Sequence, residues 1–363
     1  MREEGQEAVV PAIADIPLGS LPLHVRRFLS EVDRVLIYHL PLMTIFRGVT
    51  SREGILLHGE AGWAEAAPFW NYTPSQCLPW LNSAITGATQ KAPPPLRERI
   101  PVNVTIPVCP PDEAYRRVVD SGGCATAKVK VADPRVTHAA DCERIEAVAA
   151  ALAATVGTQQ ARIRVDVNAA WTLDEAIRSL AHFNDAAHQI GGLEYAEQPC
   201  ATVDELAQLR RRQNVPIAAD ESIRLASDPL EVLRKEAADV VVLKVAPLGG
   251  IEATVALAAD FGLPAVISSA LETSIGLAAG VRAASCLRYP ADGTPLACGL
   301  ATMQLLAADV TVNGLRVEDG HIAVRPIEVD ENYIDAQPLP DGILCRWLER
   351  LDAICEYSKG EGQ

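Results

Sequence analysis

From Pro101 onward, short β-branched runs alternate with Ala- and Leu-rich stretches, and this rhythm constrains the fold more than any other feature of the chain. The runs are Val102–Val108, Ala125–Val131, Arg162–Val167, Leu193–Ala196, Pro216–Ala219, Val240–Val245 and Ala265–Ser268. Between them lie the amphipathic stretches Glu143–Ala154, Leu173–Ile190, Val203–Arg212, Pro229–Glu236, Ile251–Phe261 and Ile275–Cys286. Parallel strands need a crossover to connect them, and a helix of this length supplies it while covering one sheet face. Six or more such units, with no glycine-rich dinucleotide loop after the first strand, favour a closed α/β barrel over an open Rossmann sheet. The barrel is expected over residues 100–307.

The flanks read differently. Residues 1–34 are punctuated by proline and are set aside as an N-terminal extension. Residues 35–99 carry β-like runs at Val35–His39 and Ile55–His58 and a helical stretch at Ser75–Thr89, which together suggest a small α+β unit. Past residue 308, Asn313-Gly314 and Asp319-Gly320 sit between alternating apolar residues and predict hairpin turns. This C-terminal segment, 308–363, is expected to rejoin residues 35–99 as a discontinuous capping domain.

Ionisable residues are embedded in the otherwise apolar strands. Lys128 and Lys130 are two apart, so the pleat aims both to one face; Arg164, Asp166 and Asn168 share a face for the same reason. Glu197 ends a third run, Asp220 and Glu221 a fourth, and Lys244 a fifth. Helix starts follow: Thr172 with Glu175 and Thr202 with Glu205 have capping-box spacing, and Asp228-Pro229 suits an N-cap and first helical position. The acids therefore lie at the C-terminal strand ends, the catalytic face of a barrel. A single acid there is ordinarily a cap or a surface residue. Charge recurring on strand after strand is different, because buried charge is costly unless it is paired or metal-bound. Three carboxylates from successive strands suit Mg²⁺, with Mn²⁺ as a substitute. Lysines beside such a cation are expected to have lowered pKa values, as base chemistry near neutral pH requires.

Composition narrows the partners. A formal charge of −15 over 363 residues repels phosphate backbones and anionic lipid, so nucleic-acid and membrane roles are not expected. The longest uncharged stretch, Ala66–Gln90, holds three prolines and many polar residues and does not suit a membrane span. Nine cysteines without a CxxC pair read as reduced thiols of a cytoplasmic protein, and the histidines show no zinc spacing. The expected partner is a small-molecule carboxylate; the sequence leaves monomer or homo-oligomer open.

Lys128-Val-Lys130, Asp166-Val-Asn168, Glu197-Gln198-Pro199, Asp220-Glu221-Ser222 and the lone strand lysine Lys244 together resemble the enolase superfamily, in its muconate cycloisomerase-like subgroup. Within it, the segments TAKVKVAD, LEYAEQPCATVDEL, PIAADESIR, VVLKVAPLGGI and SSALETSIGLAAG are most similar to the o-succinylbenzoate synthase family. The resemblance implies a modified TIM barrel, (β/α)7β, under a capping domain. It implies Mg²⁺ ligands at Asp166, Glu197 and Asp220, a base at Lys130 with Lys128 as its electrostatic partner, and Lys244 stabilising the intermediate from the opposite side. Glu221 and Asn168 would support the metal, Arg164 would help to place substrate, Ser268 would bind its succinyl side with Gly249 nearby, and Arg47-Gly48 and Phe69–Tyr72 would occupy the specificity loops. The implied reaction is a Mg²⁺-dependent syn dehydration giving o-succinylbenzoate, a step of menaquinone biosynthesis. N-succinylamino-acid racemases and dipeptide epimerases share nearly the same set and remain the alternative. Gly62-Trp63-Ala64-Glu65 departs from the family's Gly-Trp-Gly-Glu by one methyl group.

Overall fold

Seven parallel strands follow one another in chain order around a single sheet in the computed structural model, which describes residues 9–46, 48–226, 228–288 and 295–361. A capping domain precedes them. Its antiparallel sheet runs in the order β1 (Ala12–Asp15), β2 (Val32–Phe46), β3 (Val49–Gly59) and β4 (Gly62–Ala66), with α1 (Leu23–Phe28) and α2 (Pro74–Thr89) beside it. A short ribbon strand β5 (Arg99–Pro101) leads into the barrel. The barrel strands are β6 (Asn103–Ile106), β7 (Thr126–Lys130), β8 (Arg162–Asp166), β9 (Leu193–Glu197), β10 (Ile217–Ala219), β11 (Val240–Leu243) and β12 (Ala265–Ile267).

Between and after them come α3 (Pro111–Val119), α4 (His138–Thr155), α5 (Leu173–Ala186), α6 (Val203–Arg210), α7 (Glu221–Arg224), α8 (Glu231–Arg234), α9 (Ile251–Phe261) and α10 (Ser274–Cys286). Strand β13 (His321–Ala323) pairs with β5, and α11 (Ile343–Glu361) ends the described chain. The barrel strands are almost wholly buried along both faces, which is why they read as continuous Val, Ile and Ala runs rather than alternating ones.

Among the described residues, two single-residue bridges stand where a full eighth strand would close the barrel. Cys298 bridges to Val102, ahead of β6, and Gly299 bridges to Ser268, after β12. The seam is completed by Asn103 N–H to Cys298 O at 3.0 Å and Gly299 N–H to Ile267 O at 2.8 Å. A Cβ on Gly299 would lie 2.7 Å from Ser268 Oγ, so any larger residue at this closure would push the Ser268 side chain aside.

Several local readings change. Residues 12–28 are not a bare extension: β1 pairs with β2, and Val25 packs with Ile37, Leu57 and Trp80 in the cap core. The same core takes Trp347, Leu351 and Ile354 of α11. These pairings are non-local and leave no trace in local periodicity. Both capping boxes form, at Thr172/Glu175 and Thr202/Glu205. Asp228 is no N-cap: α8 begins two residues later than that reading requires, with Leu230 at its N-cap, and Asp228 pairs with Arg234 instead. Asp319 and Gly320 form the expected tight turn, both left-handed at φ 51° and 72°. Asn313-Gly314 makes no hairpin; Asp309 and Ser274 pack against Gly314 and hold the segment down.

Candidate active site

Strand register assembles the site. Lys130, Asp166 and Glu197 are successive cross-strand partners on β7, β8 and β9, so their side chains emerge side by side at one barrel rim. Ala218 of β10 pairs with Glu197, which places Asp220 one residue beyond the strand, at the same rim. Lys244 follows directly after β11. All are buried: Asp166, Glu197 and Asp220 are each 1% exposed, and Lys130, the most open, is 9% exposed.

The charges interlock. Lys130 Nζ donates to Asp166 Oδ2 at 2.5 Å and to Asn168 Oδ1 at 2.7 Å. Lys128 Nζ donates to both Glu197 oxygens, at 2.9 and 3.0 Å, and lies 3.3 Å from Asp166 Oδ2. Lys244 Nζ is hydrogen-bonded to Asp220 Oδ2. Burial opposes the charge on Lys128, but Glu197 and Asp166 outweigh it and hold the ammonium's pKa above the ordinary lysine value. The lowering expected from the sequence belongs to the site with a cation bound, whose charge would offset these carboxylates. Burial, reinforced by the charge of Asp166, pushes the Glu197 carboxyl upward.

Lys128, Lys130, Asp166, Glu197, Asp220 and Lys244 line one small cavity of about 30 Å³ that opens to solvent. Its other walls are Phe69 from the cap, Thr105 and Ser268–Leu271, with Gly299 and Thr302 from the closing segment. Ser268 thus shares a cavity with the rim lysines and carboxylates, and Phe69 brings one cap loop to it. Trp70 and Tyr72 turn elsewhere. Trp70 packs against Trp347 with ring centres 5.1 Å apart and planes tilted by 55°, and donates to Glu53 at 3.0 Å, while the Tyr72 hydroxyl accepts from Arg224 Nη1 at 3.0 Å.

Two residues expected to place or neighbour the substrate do not line this cavity. Arg164 is fully buried below the rim, one pleat deeper than Asp166 on the same face. It contacts Glu194 at 2.5 Å and the Ala297 carbonyl at 2.6 Å, and lies over the Tyr195 ring. Facing the same side as Asp166 does not put it at the same depth. Gly249 lies in the turn after Lys244 with φ +88°, and it is not among the residues that line this cavity. Arg47 lies outside the described residues.

Glu221 and Asn168 flank the rim. Asn168, itself left-handed at φ 52°, reaches Glu221 Oε1 at 3.4 Å. Two residues carry roles that sequence reasoning missed. Gln198 is fully buried at φ 39°; its Oε1 accepts from Asp220 N at 3.0 Å and Ser222 N at 3.1 Å, and its Nε2 donates to Ser222 Oγ at 2.7 Å. It locks the Glu-Gln-Pro and Asp-Glu-Ser segments together. Arg224 donates to Asp220 Oδ1 at 3.0 Å and Glu221 Oε1 at 2.5 Å. Its place one turn along from Asp220 was the available signal.

A family model described as enolase C-terminal domain-like matches residues 112–328, and one described as enolase N-terminal domain-like matches residues 37–88. The L-Ala-D/L-Glu epimerase of Bacillus subtilis has the same fold, with a TM-score of 0.65 at 19% identity, covering 89% of this chain and 98% of that one. Fold and site together define an enolase-superfamily barrel, a class whose members bind a divalent metal ion. A protein named o-succinylbenzoate synthase from Thermobifida fusca is 51% identical over 297 residues, 82% of this chain and 89% of that protein. One of the same name from Mycobacterium ulcerans is 44% identical over 322 residues, 89% of this chain and 93% of that protein. The chain belongs to the o-succinylbenzoate synthase family of this superfamily.

The donor set fits the metal such a barrel holds. The buried carboxylates of Asp166, Glu197 and Asp220 stand side by side at the rim, each drawing a cationic partner, and among the described residues no histidine or cysteine lines the cavity with them. Hard oxygen donors of this number suit Mg²⁺.

Proposed function

We propose that this chain dehydrates 2-succinyl-6-hydroxy-2,4-cyclohexadiene-1-carboxylate to o-succinylbenzoate in the cytoplasm, using Mg²⁺ with Mn²⁺ as a substitute. The identity of 44–51% to o-succinylbenzoate synthases over more than four-fifths of the chain carries the choice of reaction. By contrast, the likeness to an epimerase is one of fold alone.

Asp166, Glu197 and Asp220 would hold the cation, which when bound stabilises negative charge on the substrate carboxylate. Lys130 reaches the rim from one side of the carboxylate cluster, and Lys244 from the other, through Asp220. Lys130 in its neutral form removes the proton α to the carboxylate. The resulting ammonium, on the same face, returns the proton to the departing hydroxyl, so water leaves and the ring becomes aromatic. Lys128 and Lys244 keep positive charge beside the dianionic intermediate. Phe69 and the Ser268–Leu271 wall shield the ring from water, and Ser268 offers a hydroxyl to the succinyl arm.

The test is an ultraviolet assay of purified protein with Mg²⁺ and the cyclohexadiene carboxylate, run beside an N-succinyl amino acid in deuterated water. Rapid aromatisation without α-deuterium exchange in the amino acid is expected. Exchange or racemisation without aromatisation would move the function to the racemase alternative.

A further inference from the structure

Glu65 belongs to the Gly62-Trp63-Ala64-Glu65 segment, which the proposed chemistry does not use. It lies on β4 of the cap and is 5% exposed. Its carboxylate accepts from Thr273 N at 3.1 Å, from Thr273 Oγ1 at 2.5 Å and from Gly276 N at 3.0 Å. Thr273 is the N-cap of α10, so a residue 208 positions away in the other domain satisfies N–H groups at the start of this helix. The Tyr38 hydroxyl, 2.6 Å from Glu65 Oε1, fixes the carboxylate from behind.

Arg52 on β3 makes the complementary grip. It is 3% exposed, and Nε donates to Leu271 O at 3.0 Å and Nη2 to Ala270 O at 3.3 Å. The same guanidinium bonds the Ala67 carbonyl and lies 4.4 Å from the centre of the Phe69 ring. Between the two grips, Leu271 is held left-handed at φ 71°, a conformation that a branched side chain adopts only when its surroundings enforce it. Ser269, Ala270 and Leu271 form one wall of the site cavity, and Phe69 another.

We infer that Arg52 and Glu65 are positioning residues, a two-point clamp by which the capping domain sets the shape of the substrate wall at Ser268–Leu271. Arg52 holds the carbonyls of the strained turn, while Glu65 holds the helix start that follows. Neither touches the reacting atoms, so the clamp governs substrate fit rather than proton transfer. The inference rests on that cavity being the substrate site.

Glu65→Gln and Arg52→Lys test it. Glu65→Gln keeps the side-chain shape but sets an amide N–H among N–H donors; Arg52→Lys keeps the charge but cannot serve three carbonyls. Three quantities are measured: hydrogen exchange of residues 268–276, steady-state kinetics, and Mg²⁺ affinity by calorimetry. Each variant is expected to speed exchange in that segment and to raise KM about tenfold, with kcat within about threefold and Mg²⁺ affinity unchanged. A lowered melting temperature with unchanged KM and unchanged local exchange would reduce the pair to structural residues and overturn the inference. If Glu65→Gln does not fold, Arg52→Lys carries the test alone. If the wild-type enzyme does not dehydrate the substrate, the proposed reaction fails, and the exchange experiment still decides whether the clamp shapes the wall.

Discussion

Lys130 and Asp166 are Cα partners across the β7–β8 ladder, and their side chains meet again at the rim, Nζ to Oδ2, at 2.5 Å. The proposed base is thus fixed by the same register that fixes a proposed metal ligand. Lys128 Nζ lies 3.3 Å from the same Oδ2, so Asp166 keeps a buried counter-charge when Lys130 is removed.

Lys130→Ala is therefore expected to fold with a near-native circular dichroism spectrum and to lose dehydration turnover by about 10³-fold or more, the scale of general-base catalysis. Near-wild-type turnover in a single-turnover assay would remove Lys130 from the role of base.

Asp220 is held by two cations, Lys244 Nζ at Oδ2 and Arg224 Nε at Oδ1. Asp220→Asn keeps the shape but removes one carboxylate charge from beside two buried cations, of which Arg224 keeps Glu221, and breaking buried pairs of this kind costs about 3–5 kcal/mol. The variant is expected to melt well below the wild type and to bind Mg²⁺ at least tenfold more weakly by calorimetry. Unchanged Mg²⁺ affinity would count against Asp220 as a ligand.

How much of this site is legible in the sequence depends on which residues are asked about. Lys128, Lys130, Asp166 and Glu197 are legible because the two-residue pleat and the following helix caps fix both face and end of strand. Arg164 obeys the same pleat and was misplaced, because periodicity gives the face but not the depth in a layered barrel interior. Gln198 was illegible for another reason. Its work depends on a left-handed kink and on backbone N–H groups 22 and 24 residues away, neither of which a local pattern encodes. Strand β1 and helix α11 were missed likewise, since what stabilises them is packing on the cap core by residues far apart in the chain.

Gln198→Ala tests that lock. It strips the acceptor from two buried backbone N–H groups, those of Asp220 and Ser222, each costing about 1–3 kcal/mol when left unpaired. Chemical denaturation is expected to show a loss of several kcal/mol, with Mg²⁺ affinity falling because Asp220 is no longer held in place. A loss under 1 kcal/mol would mean that solvent or a neighbour replaces the side chain at once.

Burial pushes the Glu65 carboxyl up to about 7, against the hydrogen bonds from Thr273, Tyr38 and Gly276, with Glu272 adding like charge. The charged and titratable groups facing it are Tyr38 from β2 and Glu272 from the turn before α10, with Arg52 from β3 acting on Tyr38 in turn. Because the folded pKa lies above the unfolded value of 4.5, the native state holds the extra proton between those limits. Stability from this group is full below pH 4.5 and is lost as pH rises to about 7, by an amount of order 1–3 kcal/mol. Glu65→Gln removes the titration but leaves every other group in place. The difference in unfolding free energy, wild type minus Glu65→Gln, is expected to fall between pH 5 and pH 7.5 and to be flat above it. A difference that is constant across that range in parallel denaturation series would show that Glu65 titrates at its ordinary value despite its burial.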